Sequence, residues 1–225
     1  MIPAQLPFGA TIGADSVWRQ VLTRLPSSTE RPALFLDRDG VVVEEVHYLH
    51  KPADMKVMPG AADVIRAANA RDIAVVIVTN QAGIGRGKYD WQAFMDVQEA
   101  MLDELAGDGA FVNAVFACPH HANGIAPYNV DNHPARKPNP GMLLAARELL
   151  PISFEDSWIV GDRAGDIEAA RRAGCAGGVH VLAGHGSAEG ERDAALSQRT
   201  VSFDVKGARS IEDAGGLIPL LQKGT

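Results

Sequence analysis

The sequence predicts an α/β fold in which a mainly parallel sheet is covered by helices on both faces. Three observations carry that prediction. Short, wholly apolar runs such as IAVVIV at residues 73–78 have the composition of strands buried on both sides. Stretches of helical period alternate with these runs along the chain. The runs ending at Leu36, Val78 and Val160 each stop abruptly at polar residues. In an open α/β sheet those carboxyl ends are where ligands bind.

Taken in order, residues 1–30 read as an N-terminal extension ahead of a single domain of residues 31–225. In the extension, Val17, Trp18, Val21, Leu22 and Leu25 fall on one face at helical spacing. A short helix is expected there, capped by Asp15 and broken by Pro26-Ser27-Ser28. Residues 33–36 form a strand, and residues 61–70, after Pro59-Gly60, a helix. Residues 73–78 form a strand ending at Thr79-Asn80-Gln81. Residues 91–105 form an amphipathic helix, 112–116 a strand, and 141–149 a helix. Residues 158–160 form a short strand before Gly161-Asp162, and 166–173 a helix closed by Gly174. Residues 179–182 are expected to be the last strand of the core. The segment 184–200, rich in Gly, Ser and charge, reads as a mobile loop, and 210–221 as a terminal helix weakened by Gly215-Gly216. Right-handed crossovers assemble these elements into a Rossmann-like three-layer α/β/α sandwich with no large cap domain.

Bulk properties narrow the function. The 225 residues, 46% hydrophobic and 22% charged, suffice for one well-buried core. A formal net charge of -7 argues against a nucleic-acid-binding surface. Two cysteines, Cys118 and Cys175, do not make a disulfide framework and suggest a reducing compartment. No apolar run is long enough to span a membrane, and the first residues lack the basic-then-apolar order of a signal peptide. A cytoplasmic, monomeric protein is expected.

The polar strand ends carry the chemistry. Asp37-Arg38-Asp39-Gly40, Thr79-Asn80-Gln81, Arg136-Lys137-Pro138 and Gly161-Asp162-Arg163 bring carboxylates and cations to one side of the sheet. That combination suits phosphoryl transfer with a divalent ion. Asp37 and Asp39 are two residues apart at a strand end, and a turn at Gly40 lets their carboxylates diverge. Each residue alone has a plainer reading: Asp37, Asp39 and Asp162 as turn residues, Thr79 as a helix cap, Lys137 as a solvated loop lysine.

The order and spacing of LFLDRDG, VIVTNQAGIGRG, ACPHH, ARKPNPGML and WIVGDRAGDIEAARRAG resemble the haloacid dehalogenase (HAD) superfamily of phosphatases over residues 33–182. Within it they are most similar to the heptose bisphosphate phosphatases, relatives of the histidinol-phosphatases. The resemblance implies a HAD-like fold and Mg²⁺-dependent hydrolysis of a sugar phosphate, D-glycero-D-manno-heptose 1,7-bisphosphate at its 7-phosphate. Asp37 matches the nucleophile that forms an aspartyl phosphate, and Asp39 the general acid and base. Asp162 matches the distal magnesium ligand, together with Asp37 and the backbone carbonyl of Asp39. Thr79 and Lys137 match the groups that hold the phosphoryl oxygens. Asp166 either orients Asp162 or caps its helix.

On the substrate side the resemblance implies contacts from Tyr48, Asn80, Gln81, Arg136 and Arg163, with Arg163 where the branch usually has lysine. Arg86 either meets an anion or lies on the surface. The branch often carries a zinc loop with Cys-x-His and Cys-x-Cys pairs. Here the first pair survives as Cys118-Pro119-His120, while the second falls on His133 and Ala135. Cys118, His120, His121 and His133 are the donors a zinc ion would use. A metal-free loop held by Pro119, Pro127 and Pro134 is the expectation. Competing readings are a phosphatase for histidinol phosphate or another small molecule, and a catalytically silent binding protein. The complete set Asp37, Asp39, Lys137 and Asp162 argues against the silent protein.

Overall fold

The computed structural model describes residues 3, 5–23, 25 and 29–222; the break expected at Pro26-Ser27-Ser28 lies outside the described residues. The strands are β1 (Ala10–Ile12), β2 (Trp18–Val21), β3 (Arg31–Leu36), β4 (Ala74–Asn80), β5 (Ala114–Cys118), β6 (Ile152–Gly161), β7 (Gly177–Val181) and β8 (Asp204–Ala208). The helices are α1 (Ala61–Asn69), α2 (Ala82–Gly85), α3 (Trp91–Gly107), α4 (Gly141–Leu149), α5 (Ala164–Ala173), α6 (Glu191–Leu196), α7 (Ile211–Gly215) and α8 (Pro219–Gln222). The strands form one sheet in the order β1-β2-β5-β4-β3-β6-β7-β8. From β5 to β8 all neighbours are parallel, while β1 and β2 join antiparallel at the β5 edge.

Successive strand residues face opposite sides, which splits the core into two layers. Leu34 and Leu36 of β3, with Val75 and Ile77 of β4, pack under α1, α3 and α7. Ala33 and Phe35, with Ala74, Val76 and Val78, pack under α4, α5 and α6. This is the three-layer sandwich the alternation predicts. The chain runs from β3 outward through β4 to β5, then returns to the far side of β3 as β6. That reversal opens a crevice between the carboxyl ends of β3 and β6.

The extension is not the expected helix. Trp18–Val21 is a strand paired with β5, in register from Trp18↔Ala117 to Val21↔Ala114. Val17 and Trp18 therefore enter opposite core layers instead of sharing a helical face. The same apolar spacing serves either structure over so short a stretch. An isolated short helix is marginal, whereas the open hydrogen-bonding edge of β5 rewards a strand. Asp15, expected as a helix cap, shapes the turn between β1 and β2. Its carboxylate accepts the Val17 amide at 3.2 Å and pairs with Arg19. Trp18 is fully buried, stacked 5.7 Å from Trp91 and edge-on to Phe94 at 5.4 Å. We expect Trp18→Ala to lower unfolding free energy by about 3–5 kcal/mol in urea titration. A change below about 1 kcal/mol would mean that the hairpin only rests on the domain.

Four further expectations are corrected. The strand expected at residues 158–160 begins at Ile152, because the polar triplet Glu155-Asp156-Ser157 hides its first half. There the register with β3 shifts, and the Ser157 hydroxyl accepts the Ala33 amide at 2.8 Å. Segment 184–200 contains α6, held by Ala195 in the core and by the Glu191 carboxylate, which accepts the Ala164 amide at 2.7 Å. The core does not end at residue 182, since β8 adds a parallel strand beyond β7. The terminal helix divides into α7 and α8 after Gly215. Among the described residues, no helix is long and apolar enough to cross a membrane.

Candidate active site

Asp37 follows β3, and its amide continues the ladder by donating to the Val160 carbonyl at 3.0 Å. Asp162 follows β6, Thr79 lies near the end of β4, and Asp166 sits in the first turn of α5. Lys137 comes from the loop between β5 and α4. Its ammonium is almost fully buried and makes three contacts, to Asp37 Oδ1 at 2.9 Å, Asp166 Oδ1 at 2.7 Å and the Val78 carbonyl at 2.7 Å. It is therefore no solvated loop lysine. Burial opposes its charge, but Asp166 and Asp37 outweigh that and raise its pKa. Asp166 takes the capping role: Oδ2 accepts the Arg163 amide at 2.9 Å at the start of α5, while Oδ1 holds Lys137 rather than Asp162.

Asp37, Asp162 and Asp166 bring carboxylate oxygens within 4.8 Å of one another. Three carboxylates beside one ammonium leave a local excess of negative charge. Burial and neighbouring acids raise Asp37 to about 7 and Asp162 to about 8. The glycines on either side close this corner. Gly40 has φ 81°, and a Cβ there would lie 2.7 Å from Asp162 Oδ2 and 3.0 Å from the Gly184 Cα. Such a buried, all-oxygen, over-negative donor set fits a hard divalent cation such as Mg²⁺.

Asp39 turns the other way, as its spacing from Asp37 predicts. Its carboxylate receives Arg38 through Nε at 3.3 Å and Nη2 at 3.0 and 3.1 Å, and Gln81 Nε2 at 2.8 Å. Gln81 also donates to Thr79 Oγ1 at 2.8 Å, and its Oε1 accepts Tyr89 Oη–H at 2.5 Å. Asn80 uses its amide on the Lys137 backbone, accepting the amide at 3.1 Å and donating to the carbonyl at 3.0 Å. Both residues line the cleft, yet their hydrogen bonds go to the catalytic candidates.

The cleft has a volume of 470 Å³, and Tyr48, Arg86, Arg136 and Arg163 line its outer part. Arg86 is not a surface residue: Nη1 donates to Tyr48 Oη at 3.0 Å, and Nη2 contacts His121. Arg136 Nη1 donates to the His120 carbonyl at 3.0 Å. Sequence reasoning did not single out Arg38, Tyr89 or His185. Arg38 was hidden between the two acids as an ordinary surface-type residue, but it is 1% exposed. Burial and the charges of Asp39 and Asp37 raise Glu45 to about 7. His185 lies in the segment read as a loop, and its amide donates to Asp162 Oδ2 at 2.7 Å.

The zinc donors do not converge. Among the described residues, Asp37, Asp162 and Asp166 are the one set that could hold a metal by proximity. Cys118 Sγ is 3.9 Å from His133 Nδ1, which accepts the Ala135 amide at 3.1 Å. His120 Nε2 donates to the Asp15 carbonyl at 2.7 Å, and the two imidazoles stack at 3.9 Å. Burial pushes the Cys118 thiol up to about 11. With Ala135 in place of a fourth ligand, these residues do not fit a closed tetrahedral site.

Comparison with known proteins agrees with this architecture. The HAD-hydrolase-like family matches residues 134–209. A D-glycero-beta-D-manno-heptose-1,7-bisphosphate 7-phosphatase of Mesorhizobium japonicum is 45% identical over 147 residues, covering 65% of this chain and 68% of that protein. A HAD-like phosphatase structure from Mesorhizobium loti superposes with TM-score 0.80 at 36% identity, covering 92% of this chain and 93% of that one. D,D-heptose 1,7-bisphosphate phosphatase from B. bronchiseptica, solved with magnesium and phosphate, gives TM-score 0.69 at 30% identity, with 86% and 99% covered. At these identities and coverages the chain belongs to the HAD-like phosphatases, in the branch of the heptose bisphosphate phosphatases.

Proposed function

We propose that this chain is a Mg²⁺-dependent phosphatase that removes the 7-phosphate of D-glycero-D-manno-heptose 1,7-bisphosphate through a phosphorylated Asp37. One observation carries the reading: two acids leave the end of β3 in different directions, one toward Lys137 and further carboxylates, the other toward Arg38 and Gln81. Oδ1 of Asp37 is occupied by Lys137 and by the Arg38 amide, which leaves Oδ2 as the attacking oxygen. The Lys137 charge beside Asp37 and the Thr79 hydroxyl stabilise the phosphoryl oxygens as charge shifts toward the leaving group. Asp39 gives a proton to the departing sugar oxygen, then takes one from the water that hydrolyses the acyl phosphate. Arg38 and Gln81 fix the Asp39 carboxylate for both steps. Asp37, Asp162 and the Asp39 carbonyl would hold Mg²⁺, which when bound offsets repulsion between the acids and an incoming phosphate. Arg136, Arg163 and Arg86 at the outer cleft suit the second phosphate of a bisphosphate. Two buried, unpaired cysteines suit a reducing compartment such as the cytoplasm.

Phosphate release from a panel of substrates tests the reading. We expect kcat/KM for the heptose 1,7-bisphosphate to exceed that for histidinol phosphate and hexose monophosphates by about 10²-fold or more. Faster turnover of an unrelated monophosphate would refute the substrate assignment.

The metal reading has a pH signature. A solvated carboxyl titrates near 3.8, whereas Asp37 and Asp162 in the metal-free fold titrate at about 7 and about 8. Across that window the native state holds protons that the unfolded chain has lost. Stability from these groups is thus fully present below the unfolded value and is lost as pH rises through the folded values. A bound cation keeps both acids ionised. We expect the metal-free Tm to fall from about pH 5 to about pH 8, and Mg²⁺ to raise Tm more at about pH 8 than at about pH 6. An equal gain at both pH values contradicts this.

A further inference from the structure

The loop between β5 and α4 walls the cleft and carries Arg136, but its metal donors do not fit zinc. Something else has to fix it. His120 Nε2 donates to the Asp15 carbonyl at 2.7 Å, in the turn between β1 and β2. That turn is tied by the Asp15 carboxylate to Val17 and Arg19, and by the Ser16 amide to the Gly13 carbonyl at 2.8 Å. Behind it, β2 is hydrogen-bonded along β5, and Trp18 is locked between Trp91 and Phe94. The hairpin is therefore a rigid reference point.

From His120 the contacts continue into the site. Its ring lies flat on His133, 3.9 Å away with 5° between planes, so the start of the loop is stacked on its later half. Its backbone carbonyl accepts Arg136 Nη1 at 3.0 Å, and Arg136 lines the cleft. His120 Nδ1 has no partner among the described residues, and a single free nitrogen does not make a tetrahedral site.

We propose that the β1–β2 hairpin replaces a structural metal: through the Asp15–His120 hydrogen bond it fixes the loop without zinc and sets the Arg136 guanidinium in the substrate cleft. His120 and Asp15 are positioning residues for substrate recognition, acting through Arg136. The inference rests on the reading of Arg136 as a substrate contact.

The test uses the full chain. Elemental analysis of the purified protein is expected to find well under one zinc per chain, and a zinc-selective chelator to leave Tm unchanged. One zinc per chain, or a chelator-induced loss of Tm, overturns the proposal whatever the substrate is. His120→Ala is expected to raise KM for the heptose bisphosphate by about 5–10-fold with kcat within about twofold, because uniform binding is lost without a change in chemistry. His120→Gln, which returns an N–H donor of similar reach, should restore KM. Should His120→Ala not fold, Asp15→Ala loosens the same turn from outside the loop and should raise KM in the same direction; an unchanged KM there overturns the link. Arg136→Ala separates the two readings. If it raises KM while His120→Ala does not, the hairpin link fails and the functional reading stands. If Arg136→Ala leaves KM unchanged, the substrate role of Arg136 fails and takes the link with it.

Discussion

Asp37→Asn is expected to abolish turnover, by about 10⁴-fold or more in kcat, and to leave the fold standing. The amide keeps the shape of the carboxylate and its hydrogen bond from the Arg38 amide, 2.7 Å in the native chain. It loses the oxygen nucleophile. The substitution also removes a buried acid whose ionisation is disfavoured, since burial and Asp166 hold Asp37 at about 7 against the pull of Lys137. Metal-free Asp37→Asn is therefore expected to match or exceed the native Tm. Steady-state phosphate release and thermal unfolding check both halves. Retained activity in a folded protein would remove Asp37 from the chemistry.

Lys137→Met is expected to damage stability and activity together. In the native chain the ammonium is fully ligated by Asp37, Asp166 and the Val78 carbonyl. Removing it leaves two carboxylates buried without their cation, which costs about 3–5 kcal/mol in other buried ion pairs. Turnover should fall by about 10²–10³-fold, as expected for loss of one preorganised charge at the phosphoryl group. Mg²⁺ should recover part of the stability, because it supplies positive charge to the same acids, and little of the turnover. Denaturant unfolding with and without Mg²⁺, alongside kinetics, separates the two effects. Loss of activity with no loss of stability would show that the buried ion pairs carry little weight.

These two residues also show what was legible in the sequence. Asp37 could be read because an apolar strand, two spaced acids and a glycine form a local pattern. Lys137 could be identified only through the spacing of distant motifs, since nothing local says that a lysine in a proline-flanked loop is buried. Its bond to Asp166 spans only part of the chain but depends on the packing of α5 against the sheet. The parallel core was legible from buried strands such as β4, where no alternation with polar residues competes.

The elements that escaped are those whose identity is decided by neighbours. The segment around Trp18 has apolar spacing compatible with helix or strand, and the free edge of β5 decides for strand. Strand β8 mixes Asp204, Lys206 and Gly207 with its apolar residues, so an edge position looks like loop in the sequence. In the site, Arg38 and Tyr89 were invisible because their roles arise from burial against Asp39 and Gln81, not from any spacing. Asn80 and Gln81 were found as cleft residues, while their hydrogen bonds to Lys137 and Asp39 needed coordinates.

The most direct measurement is to mix the enzyme with Mg²⁺ and substrate, quench in acid within one turnover, and map phosphorylated peptides by mass spectrometry. The account predicts one phosphoryl group on the peptide containing Asp37, labile to base and absent in Asp37→Asn. Phosphate on any other residue, or full turnover with no phosphorylated enzyme at any quench time, would contradict it.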